Sequence, residues 1–352
     1  MSDRDATQDL TAAIRDAAQG RRALRIVGGD SKAWYGRAVA GERLSTREHS
    51  GILHYDPREL VMTARSGTPL GVIEAALDAS GQWLPFEPPR HAADSTLGGA
   101  TATALAGPAR AAHGPLRDYV LGVRLVNGAG QVLRFGGEVM KNVAGYDVSR
   151  LMAGSLGVLG VLLDVSLKVL PRPAESRTLG FDLSASEALE RLQGWCAASP
   201  APAASAWLND RLYVRYEGST ATLNAITRRI GGESTYEASG LWNSLRDQTH
   251  LFFRTAPRLW RLHVPGVAAS GATLPALIEW HGAQRWYTDQ PGIDFHALAA
   301  ASGGHATLYR GAAPGESVFA PLAPAVLALH RRLKQVFDPA GILNPGRMYA
   351  DF

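Results

Sequence analysis

Three glycine-bearing runs, far apart in the chain, constrain its fold more than any other feature. They are Gly28-Gly29-Asp30-Ser31-Lys32, then Ser95-Thr96-Leu97-Gly98-Gly99-Ala100-Thr101, then Lys141-Asn142-Val143-Ala144-Gly145-Tyr146-Asp147 with Gly154-Ser155-Leu156-Gly157-Val158-Leu159-Gly160. Backbone without Cβ atoms turns tightly and lets other groups approach closely, so such runs either pack against a neighbour or cradle a ligand. In the first, two glycines follow a short apolar stretch, and Ser31 and Lys32 add a hydroxyl and a charge suited to an oxyanion. In the second, small residues let a flat ring or a diphosphate come close. None is the nicotinamide fingerprint, which needs G-x-G-x-x-G opening a helix after an early strand, with an acid about 20 residues on.

Periodicity frames these runs. Residues 9–19 read as an amphipathic helix stopped by Gly20, and residues 24–27 as a strand. A strand over 60–64 leads to a helix with Thr68 as N-cap, Pro69 in the first turn and Leu70, Ile73 and Leu77 as its buried stripe. Residues 83–112 show no regular period and read as a long ordered loop. Residues 123–126 and 131–135 flank Asn127-Gly128-Ala129-Gly130 as a hairpin. Asp147 caps a short helix to about residue 153, and residues 158–170 form a strand.

Pro171-Arg172-Pro173 marks a boundary. Beyond it, strands over 179–183, 212–216, 260–264, 283–287 and 306–310 alternate with helices over 187–197, 220–230 and 275–279. A last helix runs over 324–336. The fold class expected is α+β. Residues 1–173 make the first domain, 174–323 a second α+β domain with an antiparallel sheet, and 324–352 a segment returning to the first.

Composition excludes several classes. The net charge is +4 with a pI near 9.3, but the Arg residues are scattered, pairing only as Arg21–Arg22, Arg228–Arg229 and Arg331–Arg332. A nucleic-acid footprint needs clustered cations with interleaved aromatics, so none is expected. Cys196 is the only cysteine, which rules out an internal disulfide and any cysteine-based metal site. No stretch is long and apolar enough for a transmembrane segment, and the polar N-terminus does not read as a signal peptide. The expectation is a cytoplasmic protein, docked at the inner membrane only through a complex.

In their order and spacing, the three runs resemble the FAD-binding domain of the vanillyl-alcohol oxidase superfamily (PCMH type). The closing Phe337-Asp338-Pro339-Ala340-Gly341-Ile342-Leu343-Asn344-Pro345-Gly346-Arg347-Met348 resembles the C-terminus of the same FAD-linked oxidases. Trp280-His281-Gly282-Ala283-Gln284-Arg285-Trp286 and the short length resemble the smaller FAD-binding subunits of bacterial glycolate oxidases. This implies the two-subdomain FAD-binding domain of that type plus a cap domain. Gly28, Gly29, Asp30, Ser31 and Lys32 would cradle the pyrophosphate. Ser95, Thr96, Gly98, Gly99 and Thr101 would line the diphosphate and flavin. Asn142, Gly145, Gly157, Gly160 and Val161 would border the ring or ribityl chain, and Asn344 would return towards the flavin. Tyr146 would bond the flavin or fix its loop.

Two departures from the family pattern matter. Covalent members carry a His where this chain has Asp30, so FAD is expected to be held non-covalently. Hydroxy-acid-oxidising relatives carry Gly-Ser-Glu-Gly where Gly154-Ser155-Leu156-Gly157 stands, and a His-x-Gly-Asp-Gly-Asn-x-His metal motif that is absent here; no metal is expected. The resemblance therefore implies work beside a larger FAD-binding subunit and an iron–sulfur subunit, on a small 2-hydroxy acid such as glycolate. A stand-alone hydroxy-acid or alditol dehydrogenase and a non-catalytic FAD-holding scaffold are the alternatives.

Oxidising a 2-hydroxy acid needs a cation for the carboxylate and a base for the hydroxyl. Arg254, Arg261 and Arg285 are candidates for the first, His263 and His281 for the second. Surface ion pairing and structural hydrogen bonding are their competing roles. Trp260, Trp280, Trp286 and Tyr287 read as sheet core.

Overall fold

The longest apolar run becomes the strand Val161–Lys168, buried from Val161 to Leu167. Its alternate residues Asp164 and Ser166 are covered as well, and each is satisfied. Asp164 accepts from Arg124 and lies 3.2 Å from His49 Nε2, and Ser166 bonds the Thr63 hydroxyl at 2.8 Å. The computed structural model describes residues 3–137, 147–235, 238–266, 268 and 275–352. Val161–Lys168 is the centre of a five-stranded antiparallel sheet ordered Ile52–Asp56, Val61–Arg65, Val161–Lys168, Val120–Val126, Val132–Gly136. The last two strands are the hairpin read from the sequence.

Beside this sheet, Leu24–Val27 pairs in parallel with Glu42–Ser45, and Leu24 also bridges to Leu343. The helix Thr7–Gln19 buries Leu10, Ile14 and Ala17 against Leu24, Val126, Val161 and Leu343. The helix Leu70–Asp78 buries Leu70, Ile73 and Leu77, each worth roughly 1.5–3 kcal/mol. Its cap position is held by Pro69. Thr68 instead spends its hydroxyl on Gly51, accepting from the amide at 2.9 Å and donating to the carbonyl at 3.1 Å.

Residues 175–310 supply an eight-stranded antiparallel sheet. Its order is Glu233–Ser234, Glu175–Asp182, Arg211–Gly218, Ala204–Leu208, Leu277–Glu279, Gln284–Thr288, Leu259–His263, His305–Arg310. One face packs Leu259, Leu277, Trp286 and Tyr309 against Tyr35, Leu105 and Leu156. The architecture is α+β with antiparallel sheets, as the sequence reading held. Among the described residues no helix is long and apolar enough to cross a membrane.

Two expectations fail. The segment 83–112 is not one loop: Leu97–Thr103 is helical, capped by Thr96, whose hydroxyl accepts from Gly99 N at 3.2 Å. Two glycines in its first turn hide the helix from propensity, yet a Cβ on Gly98 would meet Ser66 Cβ at 2.7 Å. Residues 275–279 are not helical either. Leu277–Glu279 is a strand between Ala204–Leu208, a strand the sequence did not signal, and Gln284–Thr288. Three residues are too few for periodicity to separate helix from strand, and the neighbouring strands decide.

Candidate functional site

The strand Leu24–Val27 ends in a turn that crosses the start of the helix Leu97–Thr103. A Cβ on Gly28 would lie 2.3 Å from Thr96 Oγ1, and one on Gly29 would lie 2.0 Å from the Asp94 carbonyl oxygen. The glycine pair is therefore required first by packing, and the close approach opens a cleft. The cleft is lined by residues 25–33, Thr96, Gly99, Ala102, Thr103, Leu156, Asn344 and Arg347. It adjoins a second hollow lined by Thr46, Ser66, Gly98, Gly157, Gly160 and Leu162, and the two share Ile26, Gly28, Gly99, Ala102, Leu156 and Asn344.

Residues from the first, second and third glycine runs and from the C-terminal motif thus meet at one site. Asn344 is the strut: its Oδ1 accepts from Ile26 N at 2.8 Å and its Nδ2 donates to the Leu156 carbonyl at 2.7 Å. Gly157, at φ +75°, lies against that amide. Ser95 and Ser31 join hydroxyl to hydroxyl at 2.8 Å. Thr101 donates to the Leu97 carbonyl at 2.9 Å, which uses it within the helix, and Val161 packs into the N-terminal helix cluster. Asn142, Gly145 and Tyr146 lie outside the described residues.

The cleft carries three cations against one carboxylate: Arg25, Lys32 and Arg347 against Asp30. Asp30, at φ +57°, pairs with Arg25 through both oxygens at 3.2 and 3.1 Å. Arg347 donates to the carbonyls of Ala33 and Arg37, each at 3.1 Å, and fixes the turn. Lys32 is 7% exposed and has no hydrogen bond or ion pair to its ammonium among the described residues. Burial pulls its pKa down to about 8. Ser66 Oγ is buried without a partner among the described residues. A buried ammonium with no ion pair among the described residues, felt through space by Asp247, and a hydroxyl without a partner there, beside the glycine turns, fit an anionic ligand with a flat apolar part, as FAD has. Lys32 and Arg25 suit the diphosphate, and Ser66 with Gly98, Gly99, Gly157 and Gly160 suits a polar-edged ring or sugar. Sequence reasoning missed Arg25, Ser66 and Arg347. Arg347 lies inside the closing motif, and Arg25 is a polar residue in an otherwise apolar strand.

The catalytic candidates separate by sheet face. Arg261 and His263 share a face with Leu259, the face that meets Tyr35 and Leu156. Arg261 is 8% exposed, donates to the Tyr35 hydroxyl at 3.0 Å and lies 4.8 Å from the Tyr309 ring centroid, and its Nε has no partner among the described residues. Arg285 donates to the carbonyls of Gly282 and Ala268, and its neighbour Tyr287 packs in the opposite cluster with Phe295. Arg254 is exposed on the short helix Leu251–Thr255. His281 is held by Ser205, whose hydroxyl lies 3.0 Å from Nδ1, and burial pulls its pKa down to about 4. Among the described residues no three His, Cys, Asp or Glu side chains converge as a metal site.

Comparison with known proteins identifies relatives of the chain. Residues 5–136 match the model of the FAD binding domain, and residues 320–348 that of the C-terminal domain of FAD linked oxidases. Glycolate oxidase subunit GlcE of Escherichia coli K12 is 45% identical over 351 residues, 99% of this chain and 98% of that protein. A D-lactate dehydrogenase of Anaerostipes hadrus is 35% identical over 38% of this chain and 28% of its own length. Among solved structures, alkyldihydroxyacetonephosphate synthase matches with a TM-score of 0.64 over 96% of this chain and 75% of its own, at 16% identity, which speaks for the fold alone. The chain belongs to the FAD-linked oxidases, in the family of the glycolate oxidase subunit GlcE.

Proposed function

We propose that this chain binds one FAD non-covalently in the cleft and takes part, beside a larger FAD-binding subunit and an iron–sulfur subunit, in the oxidation of glycolate to glyoxylate. Bound FAD supplies the two-electron acceptor. The chain's own residues do the rest. Lys32 and Arg25 neutralise the diphosphate, and the glycine turns and Asn344 set the distance between the strand and the ring site. Arg261 presents a buried guanidinium to a carboxylate, and Tyr35 holds it in place. Residues 1–173 with 324–352 serve as the FAD-holding half, and residues 174–323 as the cap that covers it.

The observation that carries this reading is the meeting of three distant glycine runs and Asn344 at one cationic cleft with a buried ammonium that has no ion pair among the described residues. Full-length similarity to a glycolate oxidase subunit supports the substrate class. The test is anaerobic. The purified chain should show a flavin spectrum, lose its flavin on denaturation, and resist bleaching by glycolate. The complex co-expressed with its two partner subunits should bleach. Bleaching by the lone chain would instead make it a stand-alone dehydrogenase. Flavin in this subunit that never reduces within the complex would make it a scaffold. A colourless chain that takes up no FAD would end the reading.

A further inference from the structure

The motif from Trp280 to Trp286, which the flavin reading leaves without a task, opens with a turn against the ordinary hand of the backbone. Trp280, His281 and Gly282 take φ values of +53°, +56° and +95° in succession. Only glycine adopts that region freely, so Trp280 and His281 persist there because their surroundings hold them. The His281 amide donates to the Ser205 hydroxyl at 2.9 Å, and the same hydroxyl lies 3.0 Å from His281 Nδ1. Trp280 Nε1 donates to the Gly107 carbonyl at 3.0 Å, across the seam between residues 1–173 and residues 174–323.

This turn forms one wall of a cleft of about 660 Å³. Volumes of that order take a small organic molecule. Arg110, from the short helix Arg110–His113, and Cys196, from the helix Ala185–Ala197, line the same cleft. Pro115, Leu192, Ala197 and Ala283 give it apolar walls. It shares no lining residue with the cleft around Gly28 and Asn344.

Arg110 is the only charged group among the lining residues. No carboxylate lines the cleft, and His281 is neutral near pH 7 because burial pulls its pKa down to about 4. The Arg110 guanidinium carbon lies over the Trp280 ring, 4.3 Å from its centroid. Among the described residues the guanidinium has no hydrogen bond or ion pair. Asp118 acts on it through space, and Arg117 and Arg261 oppose its charge. A half-buried guanidinium whose contact is an indole keeps its N–H donors unspent, and its planar fork matches a carboxylate in two hydrogen bonds.

We propose that this cleft is a ligand site separate from the flavin cleft, which takes a small monocarboxylate with an apolar body. The carboxylate bonds Arg110, and the body lies against Trp280, Leu192 and Pro115. One positive charge without a lining counter-charge sets the ligand at a single negative charge. Glycolate lacks the body, so this is not the site of the substrate proposed above. The held turn fixes Trp280 before the ligand arrives, so less order is lost on binding.

Cys196 makes the test specific, since it is the only cysteine in the chain and lines this cleft. Calorimetry on the full chain should find naphthoate binding with a Kd below about 1 mM. Saturating naphthoate should slow alkylation of Cys196 by N-ethylmaleimide severalfold, followed by intact mass. Naphthylmethanol, which lacks the charge, and acetate, which lacks the body, should each bind about tenfold more weakly or worse. Arg110→Gln should weaken naphthoate binding about tenfold or more and leave the alkylation rate of the free chain unchanged. Ala197→Phe, at an exposed position at the end of its helix, should block binding with Arg110 in place. Naphthylmethanol binding the wild type as tightly as naphthoate, or naphthoate leaving Cys196 unprotected, overturns the proposal whether or not Arg110→Gln folds. Protein that holds no flavin yet binds naphthoate here would end the flavin reading and leave this one standing.

Discussion

Lys32 bears a folding cost that its proposed binding role would offset. Its folded pKa lies near 8, below the 10.5 of the free side chain, because burial disfavours the ammonium. The unliganded chain therefore loses stability as pH falls from about 10.5 through 8, and the cost is fully present below 8. A bound diphosphate would offset that cost. Above pH 8 the free chain carries a neutral Lys32, which must regain a proton to meet the anion. FAD affinity measured by titration should then weaken with rising pH above about 8, by at most tenfold per unit. Lys32→Met should weaken binding roughly 10–100-fold at pH 7, as loss of a charge-assisted contact does, and should flatten the profile. A variant with wild-type affinity would remove Lys32 from the site. The run Gly28 to Lys32 was legible in the sequence as a glycine turn after a strand, and it lines the cleft. That its lysine is buried and unpaired was not, because burial depends on residues as distant as Arg347, whose guanidinium binds the Lys32 carbonyl.

Among the elements, the C-terminal helix Pro324–Phe337 does the least obvious work. Near its end Lys334 donates to the carbonyls of Val158 at 2.9 Å and Leu343 at 2.7 Å, and to Asp338 Oδ2 at 2.7 Å. Asp338 also accepts from the amides of Ile342 and Leu343. This buried pair ties the last glycine turn to the closing segment and so sets where Asn344 stands. Removing one partner leaves the other charge buried and unpaired. Asp338→Asn should lower the unfolding free energy by about 3–5 kcal/mol in denaturant titration and reduce FAD retention in parallel. A loss under 1 kcal/mol would show that the pair is not the anchor. Periodicity revealed this helix, and the family-like motif after it revealed Asn344. The helix Leu97–Thr103 stayed hidden because Gly98 serves contact with Ser66 rather than helix propensity.

For the whole molecule, the cleft lies between elements separated by more than 300 residues in sequence, Ile26 and Asn344. A ligand that binds only the assembled cleft stabilises the fold by mass action. FAD at 100 times its Kd should add about 2.7 kcal/mol and raise the melting temperature of the apoprotein by about 2 °C or more, read by tryptophan fluorescence. No shift, with FAD present at millimolar concentration, would contradict a site that spans these elements. Residues 174–323 were less legible than residues 1–173 with 324–352. Arg254, Arg261 and Arg285 look alike in the sequence, yet one is exposed, one faces Tyr35 and one faces away. Strand register decides this, and a shift of one residue reverses a side chain.

The sequence by itself determined the fold class, most of the elements, the glycine turns and the family, because these rest on local period and on spacing along the chain. Only the tertiary structure decided that Lys32 is buried, that Ser66 Oγ has no partner among the described residues, and that Glu279, Gln284, His263 and His305 form one hydrogen-bonded row. Burial and cross-strand partnership are set by which distant segments pack together, and that information belongs to no single stretch of the chain.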